Sequence, residues 1–156
     1  MDLGAAAKTV QAECIATRAR QAARVLSRIY DDLLRPTGLQ VSQFTVPIGA
    51  ARFGEQGAPI STLAEKLVMD RTTLTRNISP LEKEGYLRVA RSPTDARVKV
   101  VLLTKQGERA LQQGMPLWTR AQEIVKQRLG AQSSARLRAE LDAALSALDE
   151  PPASKA

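Results

Sequence analysis

The chain has 156 residues, 44% of them hydrophobic, which is enough for one buried core and excludes global disorder. It carries 23 Lys and Arg against 16 Asp and Glu, a net charge of +7, with no histidine and one cysteine. Histidine-dependent nucleophilic catalysis, histidine-ligated zinc and an internal disulfide are thereby excluded, while the cationic excess suits a polyanionic partner.

No phosphate-cradling glycine loop occurs. No run approaches the ~20 apolar residues of a membrane span, and the N-terminus lacks a basic start followed by an apolar stretch. The expected class is a cytoplasmic, non-enzymatic protein with no cofactor, metal or membrane association, a single domain over 1–156.

The first long helix is expected over Val10–Arg35. Ile15, Ala19, Ala22, Leu26, Ile29 and Leu33 form a heptad-like seam for helix-on-helix packing. Arg20, Arg24 and Arg28 make a separate stripe, read as a solvated face. Pro36 and Gly38 stop the helix. A second helix follows Ser42 as its N-cap and turns Phe44, Ile48 and Ala51 inward, bent by Pro47. Gly54, Gly57 and Pro59 form a loop. A short third helix starts at Ser61 or Thr62, with Thr62-x-x-Glu65 spaced as a capping box and Leu63, Ala64 and Leu67 buried.

Asp70 caps the fourth helix, about 70–85, which buries Leu74, Ile78 and Leu81 and leaves Arg71, Thr72, Thr73, Thr75, Arg76 and Ser79 outside. Pro80 kinks its back half, and Gly85 ends it. A two-strand ribbon over 86–104 then turns at Pro93-Thr94-Asp95-Ala96. Residues 86–105 hold Arg88, Arg91, Arg97, Lys99 and Lys105 against Asp95 alone, whereas residues 41–85 are neutral. A fifth helix, capped by Thr104, carries Leu111, Met115, Trp118, Val125 and Leu129, is interrupted by Pro116 and closes at Gly130. A sixth runs from Ser133 or Ser134 with Leu137, Leu141, Leu145 and Leu148. Pro151-Pro152 and a polar tail end the chain.

Helix, tight turn, helix and basic hairpin is the order that places one helix in a DNA major groove with a wing beside it. The fold class expected is mainly α with a small β-hairpin: a winged helix-turn-helix over 42–104, flanked by dimerisation helices at 10–35 and 105–149. The candidate DNA contacts are Ser61, Thr62, Arg71, Thr72, Thr73, Thr75, Arg76, Asp95, Arg97 and Lys99. Arginine reads guanine, and threonine meets a thymine methyl or a phosphate. Arg97 suits the narrow minor groove, with Asp95 pairing with Arg97 or Arg91 to shape the tip.

Four segments carry a family resemblance: Leu63-Ala64, Asp70 through Arg76, Leu81 through Leu87, and Asp95-Ala96-Arg97 with Leu102 through Gly107. Together they resemble the MarR family of bacterial winged-helix regulators, over about residues 15–148 and most strongly over 60–107. The resemblance implies an obligate dimer of triangular outline on a pseudo-palindromic operator. It also implies repression, relieved by a small ligand or by cysteine oxidation. The family's wing often reads Asp-Arg-Arg; here Ala96 replaces the middle residue, while Asp95 and Arg97 carry over. Pro47 stands where an aliphatic residue is common.

Some family members place a reactive cysteine near Cys14. Arg18 and the helix N-terminus favour its thiolate, while Glu13 opposes it; the other reading is a small core residue or pocket lining. Tyr30, Phe44 and Trp118 are candidates to line a cavity for an aromatic acid or phenol, an arginine of the first-helix stripe meeting the carboxylate. Plain core packing is the alternative for each. The expected function is a sequence-specific, homodimeric DNA-binding regulator. A non-specific architectural DNA-binding protein and a winged-helix module that only dimerises are the competing readings.

Overall fold

The computed structural model describes residues 1–148. Asp149, Pro151-Pro152 and the tail lie outside the described residues. Helices α1 (Leu3–Glu13) and α2 (Ile15–Leu34) replace the single helix expected over Val10–Arg35. The break is Cys14, whose backbone is extended (φ −72°, ψ 106°) and serves as the N-cap of α2. No glycine or proline marks it, so the seam's periodicity runs straight across.

α2 ends in a 3-10 turn, Arg35–Thr37, closed by Gly38 in the left-handed region (φ 75°). Helix α3 (Val41–Ala51) is capped by Gln40, not Ser42. Gln40 and Gln43 exchange side-chain and backbone bonds, and Asp31 of α2 accepts the Val41 amide at 2.7 Å. With that start, Phe44, Val46, Pro47 and Ala50 are buried, Ile48 is half-buried and Ala51 is exposed rather than inward.

The sheet has three strands, one more than the ribbon expected. Strand β1 (Ala58–Pro59) pairs antiparallel with β3 (Lys99–Leu103), whose other edge pairs with β2 (Leu87–Arg91). Helix α4 (Ile60–Lys66) therefore starts directly off β1 with Pro59 at its N-cap. Thr62 already lies inside the first turn, and the Thr62–Glu65 capping box does not form. Burial of Ile60 fixes that start instead.

Between α4 and α5 (Arg71–Lys83) the chain turns at Val68, which is exposed and holds a positive φ of 51°. The Val68 amide bonds to Glu65 and the Met69 amide to Ala64, closing α4 in a Schellman motif with valine where glycine is usual. Leu74, Ile78 and Leu81 of α5 are buried, as their spacing requires. The helix continues through Pro80. It closes in a second Schellman motif, with Gly85 bonded to Glu82 and Tyr86 to Leu81.

Thr104 caps α6 (Lys105–Leu129), accepting the Gly107 amide at 3.0 Å; α6 continues through Pro116. Gly130 separates it from α7 (Ala131–Leu148), which begins ahead of Ser133. The core gathers Leu34, Leu39, Phe44, Leu63, Leu74, Leu81, Leu87, Val101 and Leu111. α1 and α7 bury no residue in the single chain. Ile15, Val25, Leu129, Leu137, Leu141 and Leu145 lie open along α2, α6 and α7. Among the described residues no helix is long and apolar enough to cross a membrane.

Candidate nucleic-acid interface

Asp70 builds the start of α5. One of its oxygens accepts the Thr73 amide at 2.9 Å and the other the Thr73 hydroxyl at 2.5 Å. The Thr73 bonds, then the Thr72 amide and the Arg76 charge, hold the Asp70 carboxyl below the usual aspartate range. Thr75 donates its hydroxyl to the Arg71 carbonyl at 2.8 Å. Of the three threonines, Thr72 alone has a hydroxyl with no partner among the described residues. Arg71, Thr72, Thr73, Thr75 and Arg76 are all exposed, so the helix start is open to a groove. Ser61 is exposed on the first turn of α4, while Thr62 is half-buried.

The wing is pinned to α5 by Glu82, which accepts the Val89 amide at 2.9 Å. At its tip, Asp95 accepts the backbone amide of Arg97 at 2.9 Å. That replaces the expected ion pair: Asp95 shapes the tip through the backbone and leaves the Arg97 guanidinium uncommitted. Arg91 reaches instead toward the Ala96 carbonyl at 3.4 Å. Arg91 and Lys99 stand directly opposite across β2 and β3. Among the described residues the ion pairs are Asp32–Arg35, Lys105–Glu108 and Arg120–Glu123. None of Arg71, Arg76, Arg88, Arg91, Arg97 and Lys99 forms an ion pair among the described residues, the Arg76 charge acting on Asp70 only at longer range. An exposed helix start and a hairpin of unpaired cations suit phosphates and base edges.

Sequence reasoning counted Arg91 in the wing's charge but did not list it as a contact. Its pairing with Lys99 needs the strand register, which sequence does not print.

The expected effector residues do not converge. Phe44 and Trp118 share a mainly apolar cleft of about 390 Å³ between α3, α4 and α6, with Arg52 and Lys66 among its lining. Phe44 is only 3% exposed. Tyr30 lines a different groove, between α2, α6 and α7, and burial raises its hydroxyl pKa. Arg18 lines an apolar groove of about 440 Å³ with Ala22, Val25, Leu129 and Leu137. No arginine of the first-helix stripe lines the Phe44–Trp118 cleft within one chain; Arg52, missed from sequence, takes that place. Cys14 lines none of these cavities. The Thr17 hydroxyl and the first amides of α2 lie near its thiol and lower its pKa, without closing to a full side-chain cap bond.

Residues 54–99 match the family model described as MarR family. An uncharacterized HTH-type transcriptional regulator of Bacillus cereus is 31% identical over 90 residues, and the match spans 58% of each chain. The M. tuberculosis transcriptional regulator MosR, solved in complex with DNA, is 36% identical over 88% of this chain and all of its own, with a TM-score of 0.74. A MarR mutant from E. coli, solved with operator DNA, shares the fold (TM-score 0.77) at 21% identity over 93% of this chain and 99% of its own. The chain belongs to the MarR family and carries its winged helix-turn-helix fold.

Proposed function

We propose that this chain is a sequence-specific DNA-binding transcriptional regulator that works as a homodimer on a pseudo-palindromic operator. The observation that carries the reading is the exposed start of α5 beside a wing whose cations have no carboxylate partner among the described residues. In this reading α5 enters the major groove. Arg97 enters the adjacent minor groove, and Lys99 meets the backbone. Ser61 and Thr62 meet phosphate from the start of α4. The open apolar residues of α2, α6 and α7 support a second copy as their cover. The protein acts as a repressor. Its release falls to a small aromatic acid or phenol in the Phe44–Trp118 cleft, with Arg52 or Lys66 as counter-charge, or to oxidation of Cys14.

An electrophoretic shift with selected and random duplexes at fixed salt tests the main claim. A regulator prefers its site by ~10³ or more, while an architectural protein shows little preference. Sedimentation tests the dimer; a monomer at micromolar concentration would refute it. Quenching of Trp118 fluorescence by a panel of aromatic acids, with loss of operator binding, tests the cleft. Unchanged peroxide response in Cys14→Ser would remove the redox route.

A further inference from the structure

Two heads reading half-sites one turn apart must be held at a fixed angle to the helices that carry them. Tyr86 sits between the end of α5 and the start of β2. All three of its polar groups are engaged, each by a different part of the fold. Its amide donates to Leu81 of α5 at 2.9 Å. Its carbonyl accepts the Thr104 amide at 3.1 Å where α6 begins, while the Thr104 hydroxyl donates to the adjoining Gly85 carbonyl at 2.6 Å. Its hydroxyl donates at 3.2 Å to the Thr37 carbonyl, 49 residues back along the chain at the end of α2.

The acceptor side is itself rigid. The Thr37 hydroxyl is buried and donates to Leu34 at 2.7 Å while accepting the Leu39 amide at 3.2 Å. The neighbouring Gly38 leaves the space the phenol needs, since a Cβ there would lie 2.9 Å from the Tyr86 oxygen. On the α6 side, a Cβ at Gly107 would lie 2.2 Å from the Tyr86 carbonyl oxygen. Packing alone would be served by phenylalanine, so the hydroxyl is the informative atom.

We propose that Tyr86 is a positioning residue: its hydroxyl ties both reading elements to the end of α2 and so sets the half-site spacing that the dimer accepts. This rests on the homodimeric operator reading above.

The test begins with a site selected by the wild-type protein from a random duplex pool. That site is remade with one base pair added or removed at its centre. The wild type should bind its own spacing about tenfold or more better than either altered duplex, and Tyr86→Phe should narrow this to about threefold or less. Its thermal midpoint and half-site sequence preference should hold. An unchanged spacing profile overturns the proposal, as does a loss of affinity equal on all three duplexes, which a merely structural hydroxyl would give. As a DNA-free readout, spin labels at Lys83→Cys in a Cys14→Ser dimer should give a broader inter-head distance distribution with Tyr86→Phe; an unaltered one also overturns it. If the wild type selects no site, or a lone half-site, the operator or dimer reading has failed, and Tyr86 has no spacing to set.

Discussion

Removing one charge from the Arg91–Lys99 pair should move stability and DNA binding in opposite directions. The two residues face each other across β2 and β3. The next pair outward is hydrogen-bonded, with the Ser92 amide on the Val98 carbonyl at 2.8 Å. Antiparallel bonding alternates, so Arg91 and Lys99 occupy the closer, non-bonded kind of pair, with Cα atoms about 4.5 Å apart. At ~6 Å between exposed heads, Coulomb repulsion in water comes to roughly 0.7 kcal/mol. Like charges directly opposite on neighbouring strands are destabilising. Lys99→Gln should therefore raise the thermal midpoint of the free protein by about 1–3 °C at low salt. The gain should fade near 1 M salt, where the screening length is ~3 Å. In the proposed complex the same substitution removes one phosphate contact per protomer. The slope of log affinity against log salt should drop by about 1.8 for a dimer. Thermal melts and fluorescence anisotropy over a salt series measure both. A lowered midpoint would show that the two cations do not repel, and an unchanged slope would place the base of the wing away from phosphate.

Other substitutions separate reading from folding. Arg97→Ala should cost about 1–3 kcal/mol of operator binding with the dimer intact by sedimentation; a dissociated dimer would mean that Arg97 serves the protomer contact. The folded-state pKa of Asp70 is lowered, so its ionised form stabilises the fold above the ordinary aspartate pKa. That contribution is lost as pH falls through the lowered value. The urea-midpoint gap between wild type and Asp70→Asn should thus narrow with acid, and a gap independent of pH would remove the carboxylate's charge from the account. A Cβ at Gly114 would lie 2.4 Å from the Phe44 ring, so Gly114→Ala should lower stability by about 1–3 kcal/mol in thermal melts. An unmoved midpoint would show that α6 can shift off α3 freely. The pH midpoint of iodoacetamide reaction at Cys14 should lie below that of an ordinary thiol and move up in Thr17→Val. Equal midpoints would show that Thr17 does not act on the thiol.

Features settled within a few residues were legible from sequence. Asp70 and Thr104 cap helices because a short acceptor at that place satisfies the amide three residues on. Leu74, Ile78 and Leu81 are buried because their spacing leaves one face. Features settled by distant contacts were not. β1 is two residues long, too short for any period. It exists because Gly57 lets the loop lie against β3, where a Cβ would meet Val100 and Leu102 at 2.9 Å. The Thr62–Glu65 pattern has the right spacing, yet α4 starts earlier because Ile60 is drawn into the core.

The same division runs through the interface itself. Sequence names residue types; hydrogen bonds decide which of their atoms remain for a ligand. Thr72, Thr73 and Thr75 are equivalent as letters, yet Thr73 spends its hydroxyl on Asp70 and Thr75 on the Arg71 carbonyl. Thr72 is then the threonine whose hydroxyl has no partner among the described residues. Asp95 reads as a partner for a guanidinium, but its carboxylate takes the Arg97 amide and leaves that guanidinium uncommitted. The local bonds share one rule: a short polar side chain beside a turn or helix start closes on a partner within four residues, because that loop is smallest. Applied before any coordinates, that rule takes Asp70 and Asp95 out of direct reading. With the hydroxyls of Thr73 and Thr75 engaged, Thr72, Arg76 and Arg97 are the side chains to vary when the base preference is mapped.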